Sequence, residues 1–416
     1  MQYNIKNIHI EIPSTVREIL DTLHGAGFEA YIVGGCVRDC ILGRTPQDWD
    51  ITTQALPYQV KSLFRSTADT GLEHGTVMVI KHGRGYEVTT FRIDGKYLDG
   101  RHPESVEFTP SLKEDLKRRD FTINAFAYSP EEGVIDLFDG IADLESGLIR
   151  CVGDPDKRFA EDALRIMRAV RFCAQLDFKI EEKTSDAIKR FAPALSKVSK
   201  ERIRVEFEKT LLSDDPGYVN LYRGYGLDKY IFPDVYERCF TDEAALILAQ
   251  IKCEEKEELK YLRLAAFLGG LCAEEARKTL KNFTYDNRTK DTVSCIIKGS
   301  RIDVPEDKPS VKRSMREYGA EIFSLTQKLL IARARAFGED TAHYEKLLAL
   351  SAEIKENKEP YLISQLAVNG ADLIASGIPE GAEVGRVLGD ILERVIDEPG
   401  SNNKKEIEEY LKIYME

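Results

Sequence analysis

Apolar and polar positions follow two different rhythms along this chain, and the change between them falls near residue 150. Before it, short apolar or β-branched runs stand between glycines: Ala30–Val33, Asp50–Thr53, Thr76–Lys81 and Tyr86–Arg92, with Gly75, Gly83 and Gly85 at the joints. Runs of this length and composition predict strands. Thr15 followed by Glu18 predicts a capping box opening a helix through Leu23, closed near Gly25 and Gly27. The polar segment from Arg92 to Leu116, with Gly95, Gly100 and Pro103 inside it, predicts a mobile loop. After residue 150 the strand signals stop and helical periodicity continues to the end. It is interrupted at Asp214-Asp215-Pro216-Gly217, Asp303–Pro309, Asn357–Pro360 and Glu398-Pro399-Gly400. The pattern predicts an α+β protein, a small mixed sheet with helices followed by three all-α segments.

Composition narrows the class. A chain of 416 residues, 43% hydrophobic and 31% charged, is long enough for several globular domains. No apolar run reaches membrane-spanning length, and Met1-Gln2-Tyr3-Asn4-Ile5-Lys6 lacks a signal pattern, so the cytoplasm is the expected location. The eight cysteines and six histidines show no Cys-x-x-Cys and no ligand-spaced cluster, which points to reduced thiols and away from zinc. A net charge of −12 argues against nucleic acid taken alone, yet Lys157 to Arg204 carries 13 Lys/Arg against 7 Asp/Glu. That local excess suits either a phosphate-binding surface or a solvated helix face.

The densest chemistry lies between Val33 and Thr53. Gly34 and Gly35 follow a strand, so their N–H groups can approach a phosphate, and Arg38 is spaced to reach one. Asp48 and Asp50, two apart, share one face if the backbone is a strand and can hold hard divalent cations. In isolation, Asp-x-Asp is also a common turn before a strand. Glu87, in Tyr86-Glu87-Val88, is the candidate third carboxylate, with an exposed strand residue as the plain alternative. Arg118 and Arg119 precede Asp120, a set able to grip a triphosphate and ribose; Asp120 is equally suited to a helix N-cap.

Further along, Ala163, Ile166, Met167 and Val170 form one helical stripe, with Glu161, Arg165 and Arg168 opposite and Asp162 beside Arg165. A carboxylate next to a guanidinium offers one acceptor and one fork of donors. Cytosine and adenine both present an amino donor beside a ring-nitrogen acceptor, whereas uracil and guanine reverse that order. A fixed Asp–Arg pair therefore accepts CTP and ATP and rejects UTP and GTP, since the wrong base leaves buried polar groups unpaired at roughly 1–3 kcal/mol each. An ordinary intrahelical ion pair, worth about 0.2–0.5 kcal/mol, has the same spacing. Arg171 falls on the far side of the helix from Asp162, where a phosphate role and a structural role are equally open.

These segments occur in a familiar order. Gly34-Gly35-Cys36-Val37-Arg38-Asp39, Asp48-Trp49-Asp50, Arg118-Arg119-Asp120-Phe121-Thr122-Ile123-Asn124-Ala125, Asp136-Leu137-Phe138-Asp139-Gly140 and Glu161-Asp162-Ala163-Leu164-Arg165 resemble the class II tRNA nucleotidyltransferases, or CCA-adding enzymes, of the DNA polymerase beta-like superfamily. Glu201-Arg202-Ile203 and, more loosely, Asn369-Gly370-Ala371-Asp372-Leu373 extend the resemblance. It implies a nucleotidyltransferase head over 1–148, a nucleotide-selecting neck over 149–206, a helical body over 207–305 and a tRNA-binding tail over 306–416. It implies Asp48 and Asp50 as Mg2+ ligands, and Gly35, Arg38 and Arg119 as nucleotide-binding. Asp162 and Arg165 would select the base, with Arg168 and Arg171 contacting the nucleotide. The implied partners are CTP, ATP and the acceptor and TΨC regions of tRNA; the oligomeric state is left open.

Three relatives differ in product. Enzymes restricted to CC addition resemble this pattern with a shortened loop, whereas Arg92 to Arg118 is full length here and contains Asp94, Asp99 and Arg101. Bacterial poly(A) polymerases share the head motifs but carry a basic stretch where this chain has Gly71-Leu72-Glu73-His74-Gly75-Thr76-Val77. No His-Asp dipeptide marks a phosphohydrolase domain. The expected activity is CCA addition with release of pyrophosphate; the alternatives are an A-adding enzyme, a poly(A) polymerase and a non-catalytic RNA-binding protein.

Overall fold

The structure, a computed structural model, describes residues 8–95 and 106–415. The chain divides into two compact units, Met1–Asp234 and Val235–Glu416.

The first unit is built on a seven-stranded mixed sheet. Its strands are β1 (Ala30–Val33), β2 (Asp50–Thr53), β3 (Thr67–Gly71), β4 (Thr76–Lys81), β5 (Arg84–Thr90), and two more that follow a separate two-stranded ribbon, β6 (Arg92–Asp94) and β7 (Val106–Phe108). Those two are β8 (Phe126–Ser129) and β9 (Gly133–Asp136), and the sheet order is β3-β4-β5-β2-β1-β8-β9. β1 pairs antiparallel with β2, Val33 opposite Asp50, and β2 runs parallel to β5 with Ile51 beside Val88. The same register sets Asp50 beside Glu87. All four residues of β1 are buried, because both faces of the sheet are covered there. On one face Tyr31, Val33 and Ala127 pack with Phe91 and with Leu116 of a short helix, Leu112–Lys117.

Several helices matter to the site: α1 (Ser14–Gly25), α2 (Gly35–Ile41), the Leu112–Lys117 helix as α3, then α4 (Pro155–Glu161), α5 (Leu164–Leu176) and α6 (Lys200–Leu211). The stripe predicted along residues 163–170 is buried, with Ile166, Met167 and Val170 fully enclosed. Four expectations differ from what is found, the first being the loop from Arg92 to Leu116, whose described residues hold the β6–β7 ribbon and the helix α3. Helix α1 starts at Ser14 with Pro13 at its N-cap and no side-chain cap, so Thr15 lies inside the first turn and Glu18 pairs instead with Lys81 at 2.7 Å. Strands do not stop at residue 150: Leu148–Ile149 pairs in parallel with Lys179–Ile180, two-residue strands too short to show alternation. Finally, β2 begins at Asp50, so Asp48 stands in the loop before it, although buried Trp49 between them still leaves both carboxylates on the open side.

Among its described residues the second unit contains helices and no strand. Val304, Val311, Met315, Phe323, Leu347 and Ile354 form one apolar cluster, and residues from Val368 to Leu411 form another. Lys312 sits at the edge of the first with 0% exposure. Glu359 answers it at 2.9 Å and also takes Lys308 at 2.6 Å. Burial works against the Glu359 carboxylate, but the two lysines outweigh it and hold its pKa at about 2. Glu359→Gln is expected to cost about 3 kcal/mol in urea unfolding at neutral pH, because it strands a buried ammonium. A depressed carboxylate contributes its full stability above its ordinary 4.5 and loses it as pH falls toward 2, so the gap between variant and parent should close over that window.

Candidate active site

The end of β1, the start of β2 and the α3–β8 connection meet at one cleft. Gly34 leaves β1 with φ +80, its N–H donating to the Phe126 carbonyl, and α2 follows at once. A Cβ at Gly34 would stand 2.9 Å from Arg119 Nη1. The positive φ favours glycine here, and a methyl at this position would also push the Arg119 guanidinium aside.

Two cavities of about 470 Å³ each open from this point and share Gly35, Arg38 and Asp50. One extends past Asp48 and Arg44. The other is ringed by arginines: Arg118 and Arg119 after α3, Arg165, Arg168 and Arg171 on α5, and Arg202 on α6, with Asp162 among them. The sequence candidates Gly35, Arg38, Asp50, Arg119, Asp162, Arg165, Arg168 and Arg171 thus line one space, with Asp48 in the adjoining one. Asp94 enters β6 through its backbone; its side chain, Asp99 and Arg101 lie outside the described residues.

Burial raises the Asp50 carboxyl above its ordinary value; Arg119 opposes this and Asp48 adds to it. Glu87 is raised by burial and then by Asp50 and Asp48. The three carboxylates therefore sense one another. Among the described residues no three His, Cys, Asp or Glu side chains converge at metal-ligand spacing. Hard oxygen donors with unrelieved mutual repulsion nevertheless fit a divalent cation, which needs only one or two protein carboxylates when phosphates supply the rest.

Most of the arginines are pinned by acids. Arg38 donates to Asp39 at 2.7 and 2.9 Å and to Asn124 at 2.5 Å. Arg168 bonds the buried Asp120 at 2.7 Å; burial pushes that carboxyl up, but Arg168 and Asn124 more than offset it, leaving a pKa of about 2. Asp120 accepts from the Phe121 N–H and from Asn124, so it braces the loop after α3 rather than capping a long helix. Arg171 is buried, lies 4.1 Å over the Phe172 ring and pairs with Glu206 of α6 at 2.6 Å.

Asp162 and Arg165 do not lie on one continuous helix. The helix breaks at Asp162 (φ −149, ψ 104) between α4 and α5, and the Arg165 N–H closes a single turn onto the Asp162 carbonyl at 3.1 Å. Arg165 instead holds Glu161 at 2.6 Å and the carbonyls of Arg158 and Arg118, each at 3.1 Å. Asp162 takes the Leu164 N–H at 3.0 Å at the start of α5 and is gripped by both Arg202 guanidinium nitrogens at 2.6 and 3.2 Å. Arg202 and Glu206, one turn apart on α6, thus serve Asp162 and Arg171 respectively; the sequence marks Arg202 only within Glu201-Arg202-Ile203, with no role, and does not mark Glu206. Their i, i+4 spacing beside Glu201-Arg202-Ile203 was the available signal.

A pocket of arginines beside Asp50 at the head of a strand, Asp48 just before it and a glycine turn defines a nucleotidyltransferase-type site, and the family model of the poly A polymerase head domain matches residues 30–150. "Probable RNA and SrmB-binding site of polymerase A" matches 177–238, and tRNA nucleotidyltransferase domain 2 matches 254–411. The CCA-adding enzyme of Ligilactobacillus salivarius is 40% identical over 94% of this chain and 93% of its own. That of Enterococcus faecalis is 40% identical over 95% of both. The crystal structure of the Bacillus stearothermophilus CCA-adding enzyme in complex with CTP superposes with a TM-score of 0.81 at 34% identity, covering 97% of this chain and 98% of its own. The chain belongs to the CCA-adding enzymes, a family of tRNA nucleotidyltransferases. No helix of the described residues is long and apolar enough to cross a membrane.

The Gly34 geometry makes a direct prediction. Gly34→Ala should remain folded but lose about 1–3 kcal/mol of stability from backbone strain. Because the new methyl displaces Arg119, CTP affinity measured by equilibrium dialysis should drop at least tenfold.

Proposed function

We propose that this protein adds C, C and A to the 3′ end of tRNA from CTP and ATP without a nucleic-acid template. The observation that carries this reading is the single arginine-ringed cavity that contains both Asp50 and Asp162. The tRNA 3′-hydroxyl oxygen bonds to the α-phosphorus as the α–β bridging bond breaks, releasing pyrophosphate. Arg38 and Arg119 bind the triphosphate, with Gly35 allowing its close approach. Asp162 and Arg165 read the base edge, and Arg168 and Arg171 fix the nucleotide around them. Asp50 at the junction of the two cavities suits a nucleotide on the arginine side and an RNA end on the Asp48 side. Asp48 and Asp50 would hold Mg2+, with Glu87 as a third carboxylate, and the bound ion supplies a lowered pKa at the 3′-hydroxyl and charge neutralisation at the phosphate.

In this reading the head, neck, body and tail occupy 1–148, 149–206, 207–305 and 306–416, and body and tail grip the tRNA acceptor and TΨC region through shape and phosphates. The cytoplasm, where tRNA is matured, is the matching location.

The test is a product ladder. The protein is incubated with tRNA lacking CCA, tRNA lacking only A, and a generic RNA, with CTP alone, ATP alone or both. One full CCA on the first substrate and one A on the second are expected, with no extension of generic RNA and none in EDTA. A long A tail on generic RNA would make it a poly(A) polymerase, and no incorporation at all would leave an RNA-binding protein. Asp162→Asn is expected to keep the fold while UTP incorporation rises at least tenfold relative to CTP, since a neutral amide can donate to the uracil carbonyl. Unchanged discrimination in the same assay removes Asp162 from base selection.

A further inference from the structure

Asp115 lines neither cavity, yet its contacts lead to the arginine-ringed one. It lies on α3 with 0% exposure. Its carboxylate accepts from Arg118 Nε at 3.0 Å and Nη2 at 2.8 Å, and from Arg119 Nη2 at 3.5 Å. The Arg92 backbone N–H of β6 and the Thr52 hydroxyl of β2 approach it at 3.4 Å each. Thr52 is two residues beyond Asp50 on the same strand, so Asp115 ties the carboxylate-bearing strand to the end of α3.

A buried carboxylate requires counter-charge, and the i+3 and i+4 arginines of its own helix meet that need. What they do beyond it follows from their surroundings. Arg119 stands between two acids: Asp115 on one side, and on the other Asp50, whose carboxyl it already biases toward the ionised form. Its other guanidinium nitrogen lies against Gly34. Arg119 and Asp50 line the same cavity, so without Asp115 the long Arg119 side chain can turn to Asp50, and that contact would consume the carboxylate the reaction needs. Arg118 matters for a second reason. Its carbonyl receives Arg165, so the end of α3 also holds a residue of the base-reading face.

We propose that Asp115 is a positioning residue for nucleotide binding: it holds Arg118 and Arg119 toward the triphosphate and keeps Arg119 off Asp50. This rests on the function proposed above. The chemistry it serves is the polyphosphate of the incoming nucleotide, whereas the base and sugar contacts lie on other residues. Loss of Asp115 should therefore be felt by a triphosphate and ignored by a monophosphate.

The experiment compares CTP and CMP binding to the full chain by equilibrium dialysis, in the parent, Asp115→Asn, Arg119→Ala and the double variant, with thermal unfolding followed alongside. Asp115→Asn is expected to weaken CTP at least tenfold while CMP changes less than twofold. Added to Arg119→Ala, it should cost less than threefold more, because it acts largely through that arginine. If Asp115→Asn does not fold, Asp115→Glu carries the same comparison, since it keeps the charge and moves the arginines by one methylene. Unchanged CTP binding in a folded variant, equal losses for CTP and CMP, or full additivity with Arg119→Ala overturns the proposal. Failure of the parent protein to bind CTP overturns the proposed function, and this inference with it.

Discussion

Seven guanidinium groups around one cavity repel one another, and the first unit is organised by the need to give them acids. Asp39 meets Arg38, Asp115 meets Arg118 and Arg119, Asp120 meets Arg168, Glu161 meets Arg165, and Glu206 meets Arg171. Few of these pairs are exposed, so few are weakened by solvent screening, and each fixes a long side chain that would otherwise sample many rotamers. The acids come from α2, α3, α4, α6 and the loop after α3, which is why those elements must converge here. The arginines are thus held in place by protein contacts alone.

This arrangement separates two kinds of carboxylate. Asp115 and Asp120 are buried, held ionised by arginines, and act as struts. Asp50 and Glu87 have raised pKa values because burial and one another's charge are incompletely balanced, and they remain open to the cavity side of the sheet. Asp115 and Asp120 are satisfied by protein, whereas Asp50 and Glu87 keep unbalanced charge. The same contrast distinguishes Asp162, whose carboxylate is engaged by Arg202 from another helix and whose backbone lies in a break between helices rather than within one. A carboxylate held at a chain break can be aimed into a pocket in a way that an in-helix neighbour pair cannot.

Much was legible along the chain. Strands β1, β2 and β4, the buried stripe of α5, the turn at Gly34 and the identity of the site candidates all depend on local periodicity or on runs of adjacent residues. Less visible were Leu148–Ile149 and Lys179–Ile180, whose strand character exists only because each finds the other thirty residues away. The capping box at Thr15 failed because Pro13 takes the N-cap position and α1 starts at Ser14, two residues earlier than the motif allows. Asp115 carried a helical i+3, i+4 relation to Arg118 and Arg119, but spacing alone does not reveal that its carboxylate is buried against β2 and β6.

The sequence by itself determined which chemical groups are present, in what order, and the local conformations that release them: glycines after a strand, aspartates flanking a buried tryptophan, arginines along a helix. These depend on interactions within a few residues. Only the tertiary structure decided which acid answers which arginine. Arg202 and Glu206 reach Asp162 and Arg171 across 35 to 40 positions of sequence, and Asp120 reaches Arg168 across 48. Charge pairing at short range is set by where packed helices place their side chains, and hydrophobic burial on the opposite faces of α5 and α6 fixes that placement without regard to charge.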